Sequence, residues 1–162
     1  MSRSAVKRAD AEIVRKNEAK WTKEVWDAGW NGFPSIIIEK QEALGLDAID
    51  MNIILHLSNY WWFADNLPCP TVATIAKAIG VKPRTVQKRI ASLQAAGLMT
   101  RQERRKTRFG SDTNLYSFEG LIKAVTPYAI EKVAKRAQRE KEEQERLARK
   151  KPKLTVVAND ES

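Results

Sequence analysis

The stretch "VATIAKAIGVKPRTVQKRIASLQAAGL", residues 72–98, contains two helical patterns that meet at Gly80. Glycine is favoured at the left-handed end of a helix, so Gly80 is expected to end the first pattern. The second pattern opens on Pro83, and proline is favoured in the first turn of a helix. Gly97 ends the second pattern in the same way, with Leu98 placed to make the apolar contact that accompanies such an end. The stretch therefore predicts two helices, 72–79 and 83–96.

Basic residues are concentrated around this stretch. The chain of 162 residues has a net charge of +9. Residues 71–118 carry ten Lys and Arg against two Asp and Glu, a net charge of +8. Residues 1–70 carry a net charge of −2, and residues 119–162 carry +3. A local basic excess of this kind is the electrostatic footprint of a polyanion partner.

The segment before this stretch predicts two helices and a short strand. Residues 10–28 have a helical pattern with three tryptophans near its end: Trp21, Trp26 and Trp30. "SIIIEK", residues 35–40, is a β-branched run after a proline and predicts a brief strand. The clearest helix lies within "LDAIDMNIILHLSNYWWFA", residues 46–64, where Asp47 and Asp50 have the spacing of a capping box.

The segment after this stretch predicts a hairpin and a long helix. Two strands are expected at 98–105 and 114–118, joined by the basic tip "KTRFGSDT". A last helix is expected from about Gly120; its apolar positions fade after Ala137, and it continues as a charged helix. The tail beyond Pro152 has little to pack and is expected to be disordered.

The order of helix, three-residue turn, helix and basic hairpin resembles the winged helix-turn-helix module of bacterial transcription regulators and of plasmid or phage replication proteins. The resemblance is carried by "TVATIAKAIGVKPRTVQKRIASLQAAGLMTRQERR" followed by "GSDTNLYSFEGL". It implies a mainly α fold with a small β-hairpin wing (α+β). The expected organisation is an N-terminal helical extension at 1–32, the winged helix-turn-helix domain at 33–121, a charged helix at 122–151 and a disordered tail at 152–162.

Within this module the second helix is expected to enter the major groove of double-stranded DNA. Its apolar stripe of Val86, Ile90 and Leu93 faces the core and leaves the polar positions for DNA. The expected base-reading residues are Arg84, Thr85, Gln87 and Lys88. The expected backbone contacts are Thr71, Lys82, Arg89 and Ser92. The expected wing contacts, on a phosphate track or in a narrow minor groove, are Arg101, Arg104, Arg105, Lys106 and Arg108.

Lys82 stands at the N-cap of the second helix, where Ser, Thr, Asp or Asn is favoured. A lysine cannot accept the capping hydrogen bond, and its charge opposes the helix dipole. Two interpretations stay open. Lys82 is either a tolerated surface residue or a contact to a DNA phosphate at the helix N-terminus.

Two aromatic groups have structural and functional interpretations. Tyr60, Trp61, Trp62 and Phe63 are expected to anchor the core rather than stack on single-stranded bases. The three tryptophans of the first helix are expected to fasten that helix, with partner binding as the alternative.

The sequence has no enzymatic signature. It lacks a phosphate loop, a nucleophile elbow and a zinc motif, and it has one cysteine and one histidine. We therefore expect no catalytic residue, no metal and no cofactor. No apolar run is long enough for a membrane span, and the N-terminus has no hydrophobic signal core. A cytoplasmic, nucleoid-associated protein is expected.

The leading functional hypothesis is a sequence-specific transcription regulator of double-stranded DNA. The alternative is a plasmid or phage replication-initiation or partition protein that binds origin repeats and contacts the replication machinery. A nonspecific nucleic-acid binder is the third class. A homodimer, formed through the helix after residue 121, is suggested mainly by the way such regulators bind two half-sites.

Overall fold

The computed structural model describes residues 3–107, 110–111 and 113–150, with side chains for 12–104 and 113–149. The expected disordered tail at 152–162 and the wing-tip residues Arg108 and Phe109 lie outside the described residues. In chain order the elements are α1 (Arg3–Trp21), α2 (Lys23–Asp27), α3 (Ser35–Glu39), α4 (Ala48–Ser58), α5 (Val72–Ile79), α6 (Pro83–Ala95), β1 (Thr100–Gln102), β2 (Arg105–Thr107), β3 (Gly110–Ser111), β4 (Leu115–Ser117) and α7 (Glu119–Lys150). The fold is mainly α with a small hairpin, as predicted.

Helix α4 begins with the capping box that its sequence predicts. The amides of Ile49 and Asp50 donate to Asp47 Oδ1 at 2.9 and 2.8 Å, and the amide of Asp47 donates to Asp50 Oδ2 at 3.1 Å. Leu46 and Met51, which flank the box, are both buried in the core cluster. These local bonds fix where α4 starts and hold its first turn against the core.

The two helices of the opening stretch have the predicted ends. The amide of Thr74 donates to Thr71 Oγ1 at 3.0 Å, which caps α5, and Gly80 ends α5 at a φ of +72°. Gly97, at a φ of +70°, follows α6. The amide of Leu98 then donates to the carbonyl of Leu93 at 3.0 Å, as in a Schellman motif.

The core lies where α4, α5 and α6 meet. Each of the three helices contacts the other two. The small Ala76, 2% exposed, permits the close approach of α5 that this motif needs. The buried residues of these helices are Met51, Ile53, Ile54, Leu57, Ile75, Ala76, Val86, Ile90 and Leu93. Burial of this apolar stripe determines which face of α6 is left for solvent.

The hairpin follows α6 directly. Strand β1 pairs antiparallel with β4, so Arg101 lies opposite Tyr116, and β2 pairs with β3 with an irregularity in register. Tyr116 is buried, and its amide donates to the carbonyl of Pro68 at 3.0 Å, which ties β4 to the loop before α5. The predicted strands are confirmed in place, but the first is split into the separate short strands β1 and β2.

Helix α7 crosses the end of α6 at very short range. A Cβ atom built on Gly120 would lie 1.9 Å from the carbonyl oxygen of Gly97, and the amide of Leu121 donates to the carbonyl of Leu98 at 2.8 Å. Only glycine allows this approach. Helix α7 is continuous from Glu119 to Lys150, so it runs across the predicted boundary at residue 121 between the domain and the charged helix.

Three local predictions were wrong. "SIIIEK" forms helix α3 rather than a strand: the amide of Lys40 donates to the carbonyl of Ile36 at 3.0 Å, and the run pairs with no strand among the described residues. Without a partner strand, the β propensity of the run does not decide its conformation. The predicted helix 10–28 is broken at Thr22, whose φ is +69°. The predicted helix across 46–64 ends at Ser58.

The aromatic run after α4 is mostly outside the core, contrary to the prediction. Tyr60, Trp62 and Phe63 are exposed. Trp61 alone packs against the core, with its ring 5.8 Å from that of Phe118. Because α4 stops at Ser58, these side chains no longer follow the helical stripe that buries Ile53 and Leu57.

In the described part of the chain no helix is long and apolar enough to cross a membrane.

Candidate nucleic-acid interface

Helix α6 presents a polar face to solvent. Arg84, Gln87 and Lys88 are exposed, and the spacing of these positions places them on one side of the helix. Ala91, one turn beyond Gln87, is also exposed and leaves that face flat. The opposite side of the helix is buried through Val86, Ile90 and Leu93. An exposed helix face of this kind fits a major groove.

The basic groups of this face are available for a partner. Within the side chains that the structure describes, no carboxylate lies within 4.0 Å of the charged groups of Arg84 or Lys88. Thr85 is half-buried on the flank of the helix, so it is less open than the other three predicted base-reading residues. Ser92 is exposed, and its hydroxyl donates to the carbonyl of Lys88 at 3.1 Å.

The N-terminus of α6 is uncapped, as the sequence predicts. Lys82 has the extended backbone of an N-cap residue, with φ −72° and ψ 143°, but its side chain makes no capping hydrogen bond. The amide of Thr85 donates to the carbonyl of Lys82 at 2.9 Å. Thr71, by contrast, already uses its hydroxyl to cap α5.

The hairpin carries four of the five predicted wing residues on β1, on β2 and in the loop between those strands, and Arg108 lies outside the described residues. Arg101 is exposed on β1 and lies 3.4 Å from Glu103. Arg104 is half-buried, and its guanidinium donates to the carbonyl of Thr113 at 3.0 Å and to its hydroxyl at 3.1 Å. Arg104 therefore connects the two sides of the hairpin. Arg105 and Lys106 lie on β2, where the structure describes the backbone but not their side chains.

A comparison with known protein families gives a match over the part of the chain that contains α4, α5 and α6. A family model described as a helix-turn-helix domain covers residues 44–99, from the loop before α4 to the end of α6. The chain contains a winged helix-turn-helix domain. This fold is a DNA-binding module, with α6 as its second helix and the hairpin as its wing.

Solved structures of other proteins are similar to this chain to different degrees. The N-terminal domain of the DnaD protein from Geobacillus kaustophilus HTA426 matches with a TM-score of 0.50 and 18% identity, over 76% of this chain and 96% of that chain. The YusO protein from Bacillus subtilis matches with a TM-score of 0.38 and 14% identity, over 93% of this chain and 100% of that chain. The multiple antibiotic-resistance repressor MarR from Listeria monocytogenes 4b F2365 matches with a TM-score of 0.37 and 20% identity, over 87% of this chain and 92% of that chain. No curated protein matches the chain.

Arg89 was predicted to contact the DNA backbone, but its side chain points to another part of the protein. Its guanidinium is directed toward the first turn of α4, where it pairs with Asp47 and Asp50. Sequence reasoning assigned these two carboxylates to the capping box alone. Asp50 lies 39 positions before Arg89, so no local pattern could have indicated the pairing.

The N-terminal arm, residues 12–32, stands beside the winged helix-turn-helix domain with much of its apolar surface open. Trp21 and Trp30 are 54% and 55% exposed, and α2 has no buried residue. Trp26 and Trp30 stack with ring centroids 5.4 Å apart. Asn31 joins the arm to α4 through a 2.8 Å hydrogen bond to Ser58. The tryptophans were expected to fasten the first helix. They instead cluster with one another, and Trp21 and Trp30 stay exposed.

Proposed function

We propose that the protein binds a specific sequence of double-stranded DNA and regulates transcription. The observation that carries the proposal is the exposed face of α6, on which Arg84 and Lys88 have no carboxylate partner among the described side chains. This face lies within the segment of net charge +8. A basic, flat helix face beside a basic hairpin has the shape and charge of a major-groove reader.

Base recognition is assigned to the first turns of α6. Arg84 can donate two hydrogen bonds to guanine, Gln87 can pair with adenine, and Lys88 can donate to guanine. Thr85 lies on the flank and would contact a base edge or the adjoining sugar. A bidentate contact by Arg84 would contribute about 1–3 kcal/mol of discrimination against the wrong base.

Affinity is assigned to contacts with the DNA backbone. Lys82 stands at the N-terminus of α6, where a phosphate would pair with its ammonium group and accept a hydrogen bond from the amide of Arg84. Arg101 on β1 is exposed, and the basic wing of β1 and β2 is assigned to the adjacent backbone or minor groove. Thr71 and Ser92 contribute polar groups at the edges of this surface.

A binding selection from a random duplex library tests the proposal. A regulator would enrich one motif and bind it much more tightly than unrelated duplexes. If about six phosphates are neutralised, log affinity falls against log salt concentration with a slope near −5. A slope shallower than about −2, or the absence of any enriched motif, would refute the contact scheme.

Footprinting of the enriched motif in its genomic setting separates the two biological roles. A protected promoter supports transcription regulation. Protected repeats at a replication origin support the alternative of a replication or partition protein. Continuous protection without boundaries would indicate a nonspecific binder.

A second copy of the chain is the proposed partner of the N-terminal arm. Both copies of a two-fold dimer present the same patch, so the open tryptophans of one arm would meet those of the other. Sedimentation measures the association. Trp21→Ala should weaken it, whereas Trp62→Ala, which removes a tryptophan that lies outside the arm and is 65% exposed, should not. A protein that sediments as a monomer at all concentrations would refute the dimer.

A further inference from the structure

We propose that Arg89 is a positioning residue, which fixes the rotation of α6 through Asp47 and Asp50 and does not contact DNA. The inference rests on the proposed function, because it concerns how α6 is presented to the major groove. It replaces the expectation that Arg89 binds a phosphate.

The contacts of Arg89 are directed inward. Its Nη2 donates to Asp50 Oδ2 at 3.0 Å, and its Nε lies 3.0 Å from Asp50 Oδ1. The same Nη2 also pairs with the carboxylate of Asp47. The side chain of Arg89 is 29% exposed and that of Asp50 is 7% exposed. A DNA phosphate that captured this guanidinium would leave the Asp50 carboxylate buried and without its partner, which is costly.

The position of Arg89 on α6 explains why its contact with the two carboxylates would fix the rotation of this helix. Val86, Ile90 and Leu93 hold α6 by apolar packing, which is not directional. Arg89 lies between the predicted reading residue Lys88 and the buried Ile90. Its guanidinium pairs with both Asp47 and Asp50, and this directional contact restricts the rotation that apolar packing tolerates.

The carboxylates are themselves fixed in place. Asp47 and Asp50 form the capping box of α4, and the first turn of α4 packs on the core through Met51. The guanidinium of Arg89 is therefore tied to a rigid point outside α6. Rotation of α6 would move Arg84 and Lys88 together with Arg89, so it would break this contact.

Asp50→Asn gives the sharpest test, because the charge and positioning effects have opposite signs. Removal of a negative charge from a DNA-binding domain should strengthen binding if only electrostatics matters. Loss of positioning should weaken binding to the selected motif by roughly tenfold, the equivalent of about one base contact. Asp65→Asn is the control, since it makes the same charge change in the exposed loop before α5.

Arg89→Lys separates positioning from a phosphate contact. Lysine keeps the charge but lacks the planar guanidinium that pairs with both Asp47 and Asp50. Positioning predicts that Arg89→Lys and Arg89→Gln both lose roughly tenfold in affinity for the motif, with the salt slope of the wild type. A phosphate contact predicts that Arg89→Lys keeps its affinity and that Arg89→Gln has a slope shallower by about 0.9.

All affinities are measured under conditions where circular dichroism and a melting curve show the variant to be folded. Weaker motif binding by Asp50→Asn and Arg89→Lys, with an unchanged salt slope, supports the inference. Wild-type or tighter binding by folded Asp50→Asn overturns it. If Asp50→Asn does not fold, the comparison of the two Arg89 variants decides in the same way. A wild-type chain that selects no motif would instead refute the proposed function, on which the inference depends.

Discussion

The uncapped start of α6 gives a prediction in which stability and DNA binding move in opposite directions. Lys82 already has the backbone conformation of an N-cap, and Pro83 follows it at the first helical position. In Lys82→Ser the hydroxyl would accept a hydrogen bond from the amide of Arg84 or Thr85 without any backbone change. A serine cap is worth about 1 kcal/mol. We therefore expect the free energy of unfolding to rise by about 1 kcal/mol.

The same substitution should weaken DNA binding. Loss of one phosphate contact reduces the salt slope by about 0.9 in magnitude and lowers affinity for the motif and for unrelated duplexes by a similar factor. Lys82→Gln is the matched variant: it removes the charge without supplying a good cap. It should therefore lose the same affinity while its stability stays near that of the wild type.

Urea unfolding and salt-dependent binding titrations measure the two effects separately. A gain of about 1 kcal/mol would appear as a higher urea midpoint with an unchanged slope m. If both variants bind DNA like the wild type, Lys82 is only a surface residue. If Lys82→Ser is no more stable than Lys82→Gln, the capping argument is wrong.

Three further predictions concern the reading face and the helix contacts. Arg84→Ala should relax specificity at one base position by about 1–3 kcal/mol, seen as a loss of preference at that position in a repeated library selection. Gly120→Ala should lower the free energy of unfolding by about 3 kcal/mol, because its Cβ would lie 1.9 Å from the carbonyl oxygen of Gly97. A urea midpoint unchanged from the wild type would contradict this. The hydrogen bonds from Lys132 Nζ, at 2.5 and 2.6 Å, lower the pKa of Glu39. The stability that this pair contributes is therefore present above the unfolded-state pKa of Glu39 and lost as pH falls through its folded-state pKa. In an NMR titration Lys132→Gln should raise the pKa of Glu39, and an unchanged pKa would show that the pair does not form in solution.

The charged part of α7 does not supply a strong pairing surface. Its ion pairs run along the helix itself, as between Arg136 and Glu140 at 2.8 Å and between Arg146 and Glu143 at 3.1 Å. Such pairs support an exposed helix from within. Exposed apolar residues lie nearer the start of α7, where Ile130 and Val133, one turn apart, are 65% and 68% exposed; beyond Ala137 the exposed large apolar residue is Leu147. We propose the N-terminal arm, with its clustered tryptophans, as the contact between copies in place of the charged part of α7.

Features set by neighbouring residues were predictable from the sequence. The capping box of α4, the left-handed glycine after α5 and the Schellman motif after α6 each involve groups within six positions of one another. The apolar stripe of α6 and its polar face also follow from helical spacing alone. These features were enough to indicate the winged helix-turn-helix domain and the face of α6 that is proposed to bind DNA.

Only the tertiary structure decided the features that depend on distant residues. The run at Ile36–Ile38 has the β-branched residues of a strand, but it forms a helix and pairs with no strand among the described residues, and no local pattern shows whether a partner strand will be present. Arg89 is a basic residue on α6, which made it a predicted DNA contact. Helix packing instead brings it to Asp50, 39 positions earlier in the chain. Local hydrogen bonds and periodicity are written into adjacent residues, whereas the partner of a long side chain is chosen by how the helices pack. The sequence by itself determined α5, α6 and the polar face of α6, and the packing of α4 on α6 decided that Arg89 pairs with Asp47 and Asp50.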